Sequence, residues 1–243
     1  MRLPADWIAA DWPAPTGVNA FVTTRNGGVS RGPYASLNLG TRVGDDIAAV
    51  EENRARVRAW LPGDPKWLHQ VHGTAVVQAD QLHQVTSADA AFTRARGVVC
   101  AVQIADCLPV LFCDREGGCV AAAHAGWRGL SAGVLEQTVA ALGVPAERLI
   151  AWLGPAIGPR AFEVGADVLG AFAESDPMHS AFAALRPGKW LADLFSLARG
   201  RLASAGVTTV FGGGVCTVSD PARFFSHRRD RVTGRQAAFI WIS

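Results

Sequence analysis

The sequence has no uninterrupted apolar run near the ~20 residues that span a bilayer; even its greasiest stretch, VVCAVQIADCLPVLFC, is broken by Asp106 and Pro109. A membrane-spanning helix is not expected. The first residues, MRLPADWIAADWPAP, lack the continuous apolar core of an export signal, because Asp6, Asp11 and prolines interrupt them. Lysine is scarce, with two among 23 basic residues, and the formal net charge is only +2. No long block of one sign forms a polyanion groove, so neither nucleic acid nor membrane is an expected partner. The densest basic cluster, HRRDR at 227–231, reads as a solvated or substrate-facing loop. Cysteines number five, an odd count without the close spacing of a disulfide scaffold, which points to free thiols and a cytoplasmic location. CxxC, HExxH and His-X-His motifs are all missing, as are internal repeats, low-complexity tracts and linkers.

What is present suits one folded domain over 1–243: 49% of the residues are hydrophobic and 18% charged, enough for a sizeable core. NAFVTT has strand character and leads into a Gly/Ser/Asn/Pro-rich loop over 25–40. DDIAAVEENRARVRAWL predicts an amphipathic helix with Ile47, Val50, Val57, Trp60 and Leu61 on one face, an aspartate at its start and Pro62-Gly63 as its stop. KWLHQVHGTAVVQ reads as a strand pair or bent strand, and VVCAVQIA as a buried strand. LPVLFC and CVAAAHA read as a hairpin closing near DREGG. SAGVLEQTVAALG is helical up to Gly143, LIAWL is a strand, and GPAIGP a rigid loop. Helices at 165–174 and 193–205, a strand at 207–211 and a terminal strand AAFIWI complete the order. Hairpins mixed with helices, without a strict βαβ rhythm, predict an α+β fold, a mixed α/β layered sandwich.

The hairpin carries a thiol at one end and an imidazole at the other. If it turns about Arg115-Glu116, Cys107 and His124 face each other across the ladder, with Cβ atoms roughly 4.5–5.5 Å apart. Gly117-Gly118 could shift that register. Alternation turns Asp106 away from Cys107 unless the strand bulges, which makes Asp106 a supporting or structural group. An arbitrary buried Cys and His more often fill a core than bind a ligand. His72 changes that balance: alternation in WLHQVHG puts Gln70 and His72 on one face, beside the small Gly73. Two imidazoles and a thiolate are ligands zinc prefers, and three of them leave a fourth position open, as in catalytic sites. His69, His83, His179 and His227 read as structural or solvated, and Cys100, Cys113, Cys119 and Cys216 as buried thiols.

RNGGVS, SLNLG, VGDD, EENR, QVHG, ADCLPVLF, AAHAGWRG, WLGPAIGP, FEVG and FFSHRRD followed by TGR occur in this order over almost the whole chain. In this the sequence resembles the YfiH family, also known as laccase-domain or polyphenol oxidase proteins. The resemblance implies a mixed α/β sandwich, purine nucleoside phosphorylase activity and a zinc ion held by the histidine of QVHG, the cysteine of ADC and the histidine of AHAGW. Those positions are His72, Cys107 and His124. It also links the chain to adenosine deamination, methylthioadenosine phosphorolysis and removal of misincorporated serine from peptidoglycan precursors. One position departs from the family pattern: where a histidine often precedes VGD, this chain has Arg42.

The oxidase label implied by the family's older name fits poorly. A multicopper oxidase needs roughly ten histidines, several in His-X-His pairs, and the chain has six histidines and no such pair. Copper remains an alternative occupant of the Cys–His–His site. Phosphorolysis calls for arginines, whose planar guanidinium pairs bidentately with phosphate. The candidates are Arg25, Arg42 and Arg128, the last before a helix whose N-terminal amides favour an anion. Asn38 and Gln70 are candidates for the ribose or base. A different reaction class stays open, with Cys107 as nucleophile and His124 as its base in an amidase, as does a binding module without turnover.

Overall fold

The computed structural model describes residues 3–172 and 180–243. Two sheets stack face to face. The first runs in the order Ile8–Ala9, Val18–Val22, Gln236–Ile242, Val99–Ile104 and Pro65–Lys66, antiparallel except for the last pair. The second runs Thr209–Gly212, Leu149–Leu153, Leu108–Asp114, Val120–Ala125, Ala90–Thr93 and Val76–Gln78, with antiparallel centre and parallel edges. Smaller sheets flank them, one from Glu163–Val164, Lys189–Ala192 and Phe182–Arg186 and one from Leu68–His69 and Thr86–Ser87.

Period-two patterning explains the stacking. In Leu108–Asp114, Leu111 and Cys113 enter the inter-sheet core with Val102, Ile104, Ile150 and Ile240. Leu108, Val110 and Phe112 point the other way, under the helices Val134–Leu142 and Leu194–Ser204, against Leu135, Leu142 and Leu197. The outer face of the first sheet is covered in turn by Leu37, Leu39, Val57 and Leu61, packed on Phe21 and Phe239. Helices, two sheets and an outer helix with its loops therefore form layers, as expected. Strands buried on both faces must be apolar at every position, which is why LPVLFC shows no alternation. Each large side chain buried there stabilises by about 1.5–3 kcal/mol.

Three expectations need correction. The helix Ile47–Arg58 is capped by Asp46, whose carboxylate accepts the Ala48 N–H (3.0 Å), but Ile47 is exposed and the buried face is Val50, Asn53 and Val57. Asn53 ties the 25–40 loop to the helix: its amide donates to Ser30, Ser36 and Asn38, and its oxygen accepts from Val29. The hairpin register is displaced by one residue per strand, with Cys113 opposite Val120 and His124 opposite Pro109. Its loop holds four residues, not two, because Gly117 adopts φ +74° and the Asp114 carboxylate accepts amides of Glu116 and Gly118. The helical stretch after AHAG is two helices, Trp127–Ala132 and Val134–Leu142, separated by Gly133 at φ +99°. The strands Ala90–Thr93, Phe182–Arg186 and Lys189–Ala192 were not expected. His179 and the end of the 165–174 helix lie outside the described residues.

Candidate metal centre and active site

Cys107 follows a break in the chain path. Residues 105–107 leave the strand Val99–Ile104, and Asp106 turns through φ +95°, so the thiol emerges where the hairpin begins. His124 is the penultimate residue of Val120–Ala125, almost fully buried. His72 is exposed and lies in no strand; it occupies a loop at φ +60°, so the strand alternation expected for Gln70 and His72 does not exist. Nevertheless the three side chains meet. Their ligand atoms all lie within 4.8 Å of one another, with Cys107 Sγ 3.8 Å from His72 Nε2 and the imidazole centroids 4.9 Å apart.

The register correction leaves this meeting intact. A displacement of one residue on each strand moves Cys107 from opposite His124 to opposite Gly126, two positions along the same face. A Cβ on Gly126 would lie 2.9 Å from Cys107 Sγ and 3.0 Å from His72 Cδ2, so glycine keeps the space among the ligands open. A Cβ on Gly129 would come 2.8 Å from the Gly73 carbonyl, so this glycine lets the short helix approach the His72 loop. The two glycines of AHAGWRG thus have separate packing reasons.

One carboxylate organises both histidines. Asp89, fully buried at the start of the Ala90–Thr93 strand, takes the His124 Nδ1–H at 2.8 Å. The same carboxylate accepts the consecutive amides of Val71 (3.1 Å), His72 (2.9 Å) and Gly73 (2.7 Å). With Nδ1 committed to Asp89, His124 offers Nε2 toward Cys107 and His72, the arrangement typical of metal-binding histidines. Burial opposes the charge on His124, yet the Cys107 thiolate and the Asp89 hydrogen bond outweigh it and raise its pKa. Burial likewise opposes ionisation of Cys107, and His124 followed by His72 brings the thiol below its ordinary value. A thiolate among two imidazoles, with a carboxylate behind one of them, fits a soft or borderline divalent cation.

Two cavities adjoin the cluster, and His72 lines both. The larger, about 560 Å³, carries Arg42, Arg54, Gln70, Gln103, His124 and Arg235. Burial lowers the Arg54 pKa to about 10, and that of Arg235 falls for the same reason, although Cys107 and Asp106 oppose the fall at Arg235. Gln70 faces this cavity with its amide fastened to both backbone groups of Gln103 (2.9 and 2.7 Å), which makes it a brace for the loop. The smaller cavity, about 190 Å³, includes Cys107, Trp127, Arg128 and Phe162. Arg128 lies within the helix Trp127–Ala132, not before it, with its guanidinium 4.4 Å from the Trp127 ring centroid.

Arg25 and Asn38 are not brought to either cavity. The Arg25 guanidinium donates to the carbonyls of Ala35 and Pro221, and the buried Asn38 side chain binds Gly40, Asp45 and the Arg235 amide. Cys100, Cys113 and Cys119 are buried free thiols, as expected. Cys216 is only half-buried, its sulfur accepting from the Gly158 amide and the Ser219 hydroxyl, so its reading as a core thiol is corrected. Asp89, Arg54, Gln103 and Arg235 were missed. The one available signal was Asp89, an acid inside the apolar stretch ADAAF.

The chain is similar to known proteins along almost its whole length. The family model described as multi-copper polyphenol oxidoreductase laccase matches residues 19–243. A Pseudomonas aeruginosa protein named purine nucleoside phosphorylase is 58% identical over 97% of this chain and 98% of its own. Purine nucleoside phosphorylase YfiH of Escherichia coli is 54% identical over the same shares. The chain belongs to the YfiH family. Among solved structures, family members superpose closely. The Neisseria meningitidis protein NMB0706 matches with TM-score 0.94 at 52% identity, covering 98% of this chain and 99% of that one. YlmD from Geobacillus stearothermophilus matches with TM-score 0.92 at 33% identity, covering 100% and 98%. No helix among the described residues is long and apolar enough to cross a membrane.

Proposed function

We propose that this YfiH-family chain is a zinc-dependent purine nucleoside phosphorylase, which takes inosine, adenosine or methylthioadenosine with phosphate to the free base and the 1-phosphate of the sugar. Adenosine deamination belongs to the same reading as a second activity. The observation that carries it is the placement of His72, Cys107 and His124 between two cavities, with the larger one lined by arginines. The names of close relatives point the same way.

His72, Cys107 and His124 would hold the ion, which supplies a Lewis acid when bound. Asp89 orients His124 through Nδ1 and fixes the His72 loop through three amides. Arg42, Arg54 and Arg235 give the larger cavity the positive charge that a phosphate dianion needs. Gln70 and Gln103 brace its wall, and Arg128 borders the second cavity. Copper is the alternative ion, because imidazole and thiolate suit it as well.

The lowered pKa of Cys107 beside His124 favours one second reading, a cysteine amidase acting on a peptidoglycan precursor. A single experiment separates the two. Purified protein is analysed for metal, stripped with chelator, and assayed for ribose 1-phosphate from inosine and phosphate before and after zinc is restored. The phosphorylase loses activity with the chelator and regains it with zinc. Activity that survives chelation but dies on thiol alkylation, with a trapped acyl adduct, would favour the amidase.

A further inference from the structure

The smaller cavity holds a histidine the metal cluster does not use. His227 lines it together with Cys107 and Arg128, under an apolar wall of Trp127, Ile157 and Phe162. Its place is tightly specified. Ser226 and Arg228, on either side, both donate to the Asp106 carboxylate, through the hydroxyl at 3.0 Å and the backbone amide at 2.6 Å. Thr217 adds a third bond to that carboxylate at 2.6 Å. Asp106 is the residue before Cys107, so the same carboxylate that shapes the thiol's turn also pins the His227 turn beside it.

The tautomer of His227 is fixed as well. Nδ1 lies 2.8 Å from the carbonyl of Arg231, which swings back at φ +63° to meet it. A carbonyl only accepts, so Nδ1 carries a hydrogen, and Nε2 is the ring atom left to gain or lose a proton.

From this arrangement we infer that the smaller cavity receives the purine base and that His227 is the general acid that protonates it as it departs. The inference rests on the phosphorylase reading. At about 190 Å³ the cavity falls below the ~300 Å³ at which pockets for whole drug-sized ligands begin, and its flat apolar walls suit one fused ring system. Ribose and phosphate then fall beside His72 and in the arginine-lined cavity beyond it. Breaking the C1′–N9 bond leaves its electron pair on the purine, which departs readily once N7 is protonated. His227 gives the Nε2 proton to N7 while a phosphate oxygen forms the new bond to C1′. The proton that HPO4²⁻ sheds returns through solvent to His227, so nucleoside and HPO4²⁻ become neutral base and the sugar 1-phosphate dianion. The charged or titratable groups facing His227 in this cavity are His72, Cys107, Arg128, Arg228 and Asp106.

The test compares inosine with 7-methylinosine, whose base already carries a positive charge and needs no proton. With zinc-loaded protein, His227→Ala should lower kcat for inosine by ~10²–10⁴-fold, leave the phosphate KM unchanged and leave 7-methylinosine turnover at the wild-type rate. Added imidazole should restore part of the inosine rate. Retained turnover of 7-methylinosine doubles as proof that the variant folds and binds. Equal loss on both substrates, or no loss on inosine, overturns the role of His227 while leaving the phosphorylase reading standing. If the zinc-loaded wild type cleaves neither substrate, the phosphorylase reading itself fails, and the inference with it.

Discussion

Asp89 and His124 are joined twice: the carboxylate takes the imidazole Nδ1–H at 2.8 Å, and the Asp89 carbonyl takes the His124 amide at 2.7 Å. Each carboxylate oxygen serves two donors, Oδ1 the His72 amide and His124, Oδ2 the amides of Val71 and Gly73. Asparagine is nearly the same shape yet cannot substitute. Whichever way its amide is turned, the NH2 meets two donors in a buried site. Each unmatched donor costs about 1–3 kcal/mol. Asp89→Asn should therefore lower Tm by roughly 5–15 °C, measured by calorimetry, and weaken metal binding by ~10–100-fold, measured by competition with a chromophoric chelator. Wild-type metal affinity in this variant would show that Asp89 does not orient the ligands.

In the metal-free protein, Cys107 and His124 form a coupled pair whose pH behaviour follows from the directions of their shifts. His124, raised to about 9, contributes stability that is whole below its unfolded value and is lost as pH rises through about 9. Cys107, lowered to about 6, contributes stability present above its unfolded value and lost as pH falls through about 6. Between those limits the pair is thiolate and imidazolium. A metal needs the Nε2 lone pair, so binding at neutral pH should release one proton from His124, and apparent affinity should fall about tenfold per pH unit on acidification. Titration calorimetry in buffers of different ionisation enthalpy counts that proton. A count of zero would mean that the free site is already deprotonated.

Much of this was legible from the chain, and the rest was hidden for physical reasons. His72, Cys107 and His124 stood out because their residue types are metal ligands, and the layered α+β class followed from hairpins mixed with helices without a strict βαβ rhythm. The hairpin register was misplaced by one residue per strand, because the four-residue loop depends on Gly117 at positive φ and on Asp114 capturing its amides. That error was harmless to the site, since a shift by two positions preserves the face. Arg235 was illegible for another reason, and Asp89 nearly so, its single signal being an acid inside the apolar stretch ADAAF. Their roles come from capture by loops distant in sequence, and no local spacing encodes it. The reading of Arg25 and Asn38 as substrate contacts followed the chemistry of their side chains, whereas the fold uses both to fasten the loop itself.

Arg235 reaches the larger cavity with its Nη1 held by the carbonyls of Thr233 and Gly234. Burial has already stripped much of its water, so a phosphate paired with it meets little competition from solvent. A hydrogen bond to a charged group contributes about 1.5–3 kcal/mol. Arg235→Met, which keeps the aliphatic stem, should raise the phosphate KM by roughly 10–150-fold with a much smaller effect on nucleoside KM. Steady-state kinetics with each substrate varied in turn checks this, and an equal rise in both constants would remove Arg235 from phosphate binding.

Gly126 tests the metal centre with the least disturbance elsewhere. Its backbone, φ −64° and ψ 157°, is one that alanine adopts without strain. Any effect of Gly126→Ala must therefore come from the added methyl, which would stand 2.9 Å from the Cys107 sulfur and 3.0 Å from His72 Cδ2. His72 is on an exposed loop and Cys107 on a turn, so the side chains can be pushed apart while the sheets stay in place. The expected result is a Tm near that of the wild-type metal-free protein, together with metal affinity reduced by ~10-fold or more and turnover reduced in step. Substitution with cobalt provides an independent readout, because the thiolate-to-metal charge-transfer band should weaken or shift as the sulfur moves. An unchanged band and unchanged affinity would mean that the ion binds elsewhere than among His72, Cys107 and His124.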